Sequence, residues 1–221
     1  MDGLMVIMGR LGQGFWLNCE LFLLTLLFAV PLGLLVSFGS MSRFAPLRGL
    51  MRGFVWVIRG TPLMLQIIVI YLGPGLMGWQ NPWPTGGGGR LTAAVVAFVI
   101  NYACYFSEIY RGGIESLPKG QIEAGQVLGM TRSQIFFKVT LLQLIKRILP
   151  PMGNEIITLV KDTSLAFAIG VGEMFSTAKA LVASQVSMVP FAIAALIYWV
   201  FNFVVEMLLG AAEKKLDYYH D

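Results

Sequence analysis

The chain has 221 residues, of which 57% are hydrophobic and 13% are charged, and its mean hydropathy is +0.73. Because soluble domains carry about 25% charged residues, this composition argues against a soluble domain and indicates a membrane protein. The formal net charge of +4 does not indicate nucleic-acid binding, since basic residues of membrane proteins collect on cytoplasmic loops.

Five apolar segments are long enough to cross a bilayer, which takes about 20 helical residues. They predict an all-α polytopic membrane protein that forms one transmembrane domain over residues 1–221. The predicted spans lie at about 15–36, 54–77, 91–110, 152–175 and 189–209. The long charged segment between the third and fourth spans, 111–149, is predicted to lie in the cytoplasm.

The orientation follows from the distribution of lysine and arginine, which favours the cytoplasmic side. One side carries most of them: Arg43, Arg48, Arg52, Arg59, Arg111, Lys119, Arg132, Lys138, Lys146, Arg147, Lys214 and Lys215. The other side carries Arg10, Arg90 and Lys179. The N-terminus is therefore predicted outside and the C-terminus inside.

The charged segment has helix signals of its own. Thr131 and Gln134 have the spacing of a capping box, which predicts a helix start. A shorter helix over Gln121 to Leu128 is predicted to end at Gly129, since glycine readily adopts the left-handed conformation at helix ends. Charge and amphipathicity alone favour helices that lie on anionic lipid.

The order of residues in this segment changes that interpretation. The run Glu123-Ala124-Gly125, followed by Gly129, resembles the EAA loop of bacterial ABC importer permeases. Three further motifs are similar to the polar amino-acid (His/Glu/Gln/Arg/opine) subfamily of these permeases: RGTPLMLQIIVIYLG (59–73), SEIYRGGIESLPKGQ (107–121) and LPPMGNEIITLVKDTSL (149–165). The resemblance covers nearly the whole chain and implies that Glu123, Ala124, Gly125 and Gly129 belong to a coupling helix that docks on a separate ATPase subunit.

The resemblance also implies the function and the partners. It implies the transmembrane permease subunit of an importer that carries a polar amino acid across the bacterial inner membrane. The implied partners are two ABC ATPase subunits that bind ATP and Mg, a second permease subunit, identical or related, and an extracytoplasmic amino-acid-binding protein.

No enzyme activity is expected in the chain itself, because it has no GxxxxGK[ST] phosphate loop and no catalytic or metal-binding motif. No catalytic residue, metal or cofactor is therefore predicted. The alternative is a stand-alone channel or secondary transporter for small polar solutes, which the odd number of spans disfavours because it leaves no two equal repeats.

The fourth span is the predicted substrate path, because a charged side chain at the bilayer centre costs about 2.5 to 3.5 kcal/mol. Glu155, Thr158 and Asp162 share one helical face, and the adjoining face carries Asn154, Lys161 and Ser164. Lys161 lies roughly 15 Å beyond Pro151, near the midplane. The two faces offer partners for the ammonium and the carboxylate of an amino acid; the alternative is that these charges pair with neighbouring helices.

Overall fold

The computed structural model describes residues 2–84 and 87–216, and all regular structure in these ranges is helical. The α-helices are α1 Asp2–Ser40, α2 Ala45–Arg59, α3 Leu63–Leu76, α4 Gly87–Glu115, α5 Lys119–Val127, α6 Arg132–Ile135, α7 Leu141–Asp162, α8 Met174–Gln185 and α9 Val189–Leu216. A π-helical turn, Phe136–Thr140, joins α6 to α7, and a 3-10 helix, Thr163–Ile169, follows α7.

Among the described residues, three helices are long and apolar enough to cross a membrane, namely α1, α4 and α9. The predicted spans 15–36, 91–110 and 189–209 lie inside them. Two bent pairs bring the number of candidate spans to as many as five: α2 with α3, and the segment Arg132–Ile169 with α8. The fold is therefore all-α, with three to five candidate spans.

The predicted second span, 54–77, is divided between two helices. It begins inside α2 and continues into α3, and the two axes differ in direction by 106°. The bend lies at Gly60, Thr61 and Pro62, where proline lacks an N–H for the helix ladder and disfavours helical geometry at the preceding residue. Arg59 and Thr61 are thereby placed at a bend rather than within a straight span.

The predicted fourth span, 152–175, also differs from the observed helices. α7 begins at Leu141 and passes through Pro150 and Pro151, so these prolines are not its start. α7 ends at Asp162, and the 3-10 helix that follows ends at Gly170, which adopts a left-handed conformation with φ 77. α8 then begins at Met174, and its axis makes an angle of 61° with that of the segment Arg132–Ile169.

The charged segment forms the two short helices that its sequence predicts. α5 ends next to Gly129, which has φ 73. The capping box is confirmed, since the Thr131 N–H donates to Gln134 Oε1 at 2.8 Å and the Gln134 N–H donates to Thr131 Oγ1 at 3.3 Å. A Cβ on Gly125 would lie 2.8 Å from Ile135 Cγ1, so α5 and α6 pack closely. We call α5, α6 and the turn between them the coupling hairpin.

Helix α4 lies at the centre of the packed chain. Its side chains Phe98, Tyr102 and Phe106 are almost fully buried, and α1 packs along it. At Gly33 of α1 a Cβ would lie 2.9 Å from the Ala103 carbonyl oxygen, so the absence of a side chain permits this close approach. A second apolar cluster joins the first turns of α1 to α8 and α9. The two clusters hold α7, and the break between the 3-10 helix and α8, against α1 and α4.

Candidate functional site

Helix α7 directs its polar side chains away from the core of the chain. We call Asn154, Glu155, Thr158, Lys161 and Asp162 the polar face of α7. Glu155 and Asp162 are half-buried and the other three are exposed, whereas the opposite face buries Gly153, Leu159 and Val160. Lipid cannot satisfy such charges, so this face must meet water, a solute or another protein surface.

The sixth predicted site residue, Ser164, lies in the first turn of the 3-10 helix, just after this face. Its hydroxyl donates to the Lys161 carbonyl at 2.8 Å, and the Thr158 hydroxyl donates to the Asn154 carbonyl at 2.9 Å. The hydroxyl hydrogens are thus used by the local backbone. Each oxygen still has acceptor capacity, which suits it to a donor such as an ammonium group.

Asp162 is held from the core side by a buried tyrosine. Tyr102 of α4 donates from its hydroxyl to Asp162 Oδ2 at 2.8 Å. Tyr102 is 2% exposed, and its ring stacks on Phe98 and contacts Phe106. The tyrosine therefore fixes one carboxylate oxygen of Asp162, and the side chain as a whole is half-buried.

The bend between α2 and α3 is tied to α4 by amide hydrogen bonds. Gln66 Nε2 donates to the Ile58 carbonyl at 2.7 Å and to Thr61 Oγ1 at 2.8 Å. Asn101 of α4 donates from Nδ2 to Gln66 Oε1 at 3.0 Å. Asn101 immediately precedes Tyr102, so the bend and the polar face of α7 contact neighbouring residues of α4.

A charged cluster lies further along α4. Glu108 accepts from Arg111 Nη2 at 2.6 Å and from Arg111 Nε at 3.1 Å. Arg59, the last residue of α2, lies 3.6 Å from Glu108 Oε2, and its guanidinium carbon is 5.0 Å from the centre of the Tyr105 ring. This cluster joins the bend to α4 by an ion pair and a cation–π contact.

The candidate site therefore combines three elements. The polar face of α7 and Ser164 supply the predicted residues, α4 supplies Asn101, Tyr102 and Tyr105, and the bend supplies Arg59, Thr61 and Gln66. Tyr102 is the link, because its ring lies 6.3 Å from that of Tyr105 and its hydroxyl reaches Asp162.

Four residues of this site were not predicted as site residues from the sequence: Arg59 of α2 and Asn101, Tyr102 and Tyr105 of α4. Arg59 lies inside the predicted second span, 54–77, and is counted among the basic residues of the cytoplasmic side. Asn101, Tyr105 and Glu108 recur at i, i+4 and i+7 inside an otherwise apolar span, and this periodicity is the signal that marks them as one helical face. Their partners could not be read from the sequence, because the bend that brings Arg59 and Gln66 to α4 is a tertiary feature.

The coupling hairpin presents a second candidate surface. Glu123 and Ala124 are exposed, and two apolar side chains at the end of α5 project outward, with Val127 88% and Leu128 78% exposed. Gly125 is instead buried beneath Ile135. Of the four predicted docking residues, Glu123, Ala124 and Gly129 are therefore exposed and Gly125 is buried.

Comparison with known proteins gives one family match over most of the chain. A family described as the inner membrane component of binding-protein-dependent transport systems matches residues 29–218. The L-cystine transport system permease protein TcyB of Bacillus subtilis (strain 168) is 38% identical over 212 residues, which cover 95% of this chain and 87% of that protein. The arginine transport system permease protein ArtQ of the same organism is 34% identical over 206 residues, covering 92% and 91%.

Solved structures agree with this match. The crystal structure of an amino acid ABC transporter with histidines contains a chain with a TM-score of 0.85 and 31% identity, covering 96% of this chain and 97% of that one. A methionine ABC transporter in inward-facing conformations matches with a TM-score of 0.68 at 15% identity, covering 98% of both chains. At that identity the second likeness shows the fold alone.

Proposed function

Because the chain belongs to the family of inner membrane components of binding-protein-dependent transport systems, we propose that the solute carried by this multi-pass inner-membrane permease is a polar amino acid. The observation that carries the proposal is the outward direction of the polar face of α7, which places two carboxylates and an ammonium where lipid cannot satisfy them. A zwitterionic solute offers a partner to both signs of charge. Relatives that transport L-cystine and arginine support this substrate class.

Within this site the roles follow from charge. Glu155 and Asp162 lie near the amino or cationic end of the solute, and Lys161 lies near its carboxylate. Asn154, Thr158 and Ser164 supply hydrogen bonds beside them, through acceptor oxygens and the Asn154 amide. Should these positions not bind the solute, Thr61 and Gln66 at the bend are the next candidates, since Gln66 binds Thr61 and accepts from Asn101 of α4.

The energy for transport comes from partner subunits. Two ATPase subunits bind ATP and Mg and dock on the coupling hairpin, where Glu123 offers charge and Ala124 permits close approach. The exposed Val127 and Leu128 add apolar area to that surface. A second permease subunit, identical or related, and an extracytoplasmic amino-acid-binding protein complete the importer.

Transport by the reconstituted complex tests this function. Proteoliposomes that contain the permease, its ATPase subunits and its binding protein are expected to take up radiolabelled L-arginine or L-cystine only when ATP is supplied on the ATPase side. The permease alone is expected to take up neither. Uptake by the permease alone, driven by a solute gradient, would instead support the stand-alone channel or secondary transporter.

The orientation gives a further prediction. A cysteine that replaces Gly88, in a background free of other accessible cysteines, is expected to react with a membrane-impermeant maleimide in intact cells. A cysteine at Lys214 is expected to react only after permeabilisation, because the excess of lysine and arginine places that end in the cytoplasm. Labelling in the opposite sense would reverse the arrangement of every helix.

A further inference from the structure

The break between the 3-10 helix and α8 is bridged by one side chain of α1. Asn18 donates from Nδ2 to Thr163 Oγ1 at 2.9 Å, on one side of the break. On the other side, the Met174 N–H donates to Asn18 Oδ1 at 3.0 Å. Asn18 and Thr163 are each 1% exposed. A single buried amide therefore holds both ends of the interruption.

The backbone of α1 lies unusually close to this break. Gly14 is one helical turn before Asn18, and a Cβ on Gly14 would lie 2.8 Å from both Cα and N of Met174. A side chain there would push α1 and α8 apart. Gly14 therefore allows the approach that brings the Asn18 amide within reach of both partners.

Glu173 completes the cluster as the N-cap of α8. Its carboxylate accepts from the Phe175 N–H at 2.7 Å and from the Ser176 N–H at 2.6 Å, and it is 1% exposed. Asn18 Nδ2 also lies 3.0 Å from the Tyr198 hydroxyl oxygen of α9. We call Asn18, Thr163, Glu173 and Tyr198 the break cluster; it joins α1, α8, α9 and the 3-10 helix.

We propose that Asn18 is a positioning residue for the amino-acid site, acting through Thr163 on Asp162. Thr163 directly follows Asp162, so a displacement of Thr163 moves the Asp162 carboxylate relative to the Tyr102 hydroxyl, 2.8 Å away. Asn18 and Thr163 are too deeply buried to touch a solute, and their effect must pass through Asp162. This inference rests on the proposed function, because it assigns the break cluster a role in the same site.

A matched pair of variants tests the Thr163 hydroxyl, which accepts from Asn18 Nδ2 and donates to the Val160 carbonyl oxygen at 2.7 Å. Thr163→Val keeps the shape of the side chain but removes the oxygen that accepts from Asn18, whereas Thr163→Ser keeps that oxygen. Binding of radiolabelled L-arginine and L-cystine is measured on the purified permease–ATPase complex in lipid nanodiscs. We expect about five- to tenfold weaker binding for Thr163→Val, because the hydroxyl that joins Asn18 to the chain beside Asp162 is lost, and unchanged binding for Thr163→Ser, which keeps both hydrogen bonds of that hydroxyl.

A double-mutant cycle separates positioning from general destabilisation. Tyr102→Phe removes the hydroxyl that holds Asp162. If Thr163 acts by placing Asp162 against that hydroxyl, Thr163→Val should weaken binding much less in the Tyr102→Phe background than in the unmodified complex. If the double variant loses binding by the full product of the two single-variant factors, the two residues act independently and the positioning role is overturned. If Thr163→Val fails to assemble, Thr163→Ala removes the same oxygen with less bulk and carries the same expectation.

The outcomes also distinguish this inference from the function on which it rests. Unmodified complex that binds neither amino acid contradicts the proposed substrate class and the positioning role together. Unmodified complex that binds one of them, with Thr163→Val binding it equally well, contradicts the positioning role alone. The thermal unfolding temperature of each variant is measured in parallel, and a loss of binding without a comparable loss of thermal stability supports positioning.

Discussion

Asp162→Asn is expected to lower amino-acid uptake about a hundredfold while the amount of assembled complex stays the same. The bound solute and Asp162 form the proposed charge pair, and removing one member of such a desolvated pair costs about 2 to 5 kcal/mol, where each 1.4 kcal/mol is a factor of ten. The substitution preserves the size of the side chain and still accepts the Tyr102 hydrogen bond. The charge that faces the ammonium or cationic group of the solute is lost.

The measurement is ATP-dependent uptake in proteoliposomes, together with the yield of complex and its basal ATP hydrolysis. Glu206→Gln is the matched control, because it neutralises an exposed carboxylate of α9 by the same isosteric change and should leave uptake unaltered. Tyr102→Phe should have a smaller effect than Asp162→Asn, since it removes a hydrogen bond but no charge. If the charges of α7 only paired with neighbouring helices, Asp162→Asn would instead reduce the amount of assembled protein.

Lys161→Met tests the carboxylate end of the solute in the same assay. Lys161 is exposed on the polar face of α7, so its removal should weaken transport without loosening the core. Normal uptake by both Asp162→Asn and Lys161→Met, with unchanged substrate affinity, would exclude this face as the site. The bend residues Thr61 and Gln66 would then be examined in its place.

The parts of the site that local sequence order determines were predictable. Glu155 and Asp162 are seven residues apart on one helix, so their common face follows from helical periodicity alone. The turn at Gly129 and the capping box of Thr131 depend on residues within one helical turn of each other. The turn and the capping box were confirmed, because no distant contact is needed to form them.

The parts that depend on tertiary contacts were not predictable. Asn18 lies 145 residues from Thr163 and 156 residues from Met174, and no local pattern links them. Arg59 was predicted inside a straight second span, whereas it lies at the end of α2 beside the 106° bend, where it contacts Glu108 of α4. Hydropathy gives the length of an apolar segment, but it does not reveal where that segment is interrupted.

Altering the coupling hairpin is expected to lower the ATP turnover that substrate-loaded binding protein stimulates. Gly129 has φ 73 and open space around its Cα, so a side chain there is opposed by backbone strain rather than by a clash. For an ordinary residue this conformation costs roughly 1 to 2 kcal/mol, and a β-branched residue is especially unsuited to it. Gly129→Val should therefore distort the turn that holds α5 against α6.

Gly112→Val is the control for this change. Gly112 is exposed and also has open space around it, but it lies inside α4 with ordinary helical geometry. Substrate-loaded binding protein stimulates ATP turnover, and we expect this stimulated turnover to be at least tenfold lower in Gly129→Val, a change of about 1.4 kcal/mol in coupling. Gly112→Val should retain most of the stimulated ATP turnover. Helix content by circular dichroism should be the same for both, because Gly129 lies outside the candidate spans and a side chain at Gly112 meets open space on α4.

Glu123→Lys tests the surface charge of the hairpin instead of its shape. Glu123 is exposed on α5, so reversing its charge should leave the hairpin folded. Replacing an acidic side chain by a basic one at a closely packed docking surface should lower co-purification of the ATPase subunit with the permease, and with it the stimulated ATP turnover. Unchanged co-purification and unchanged stimulation in both Glu123→Lys and Gly129→Val would show that the ATPase engages another part of the cytoplasmic surface.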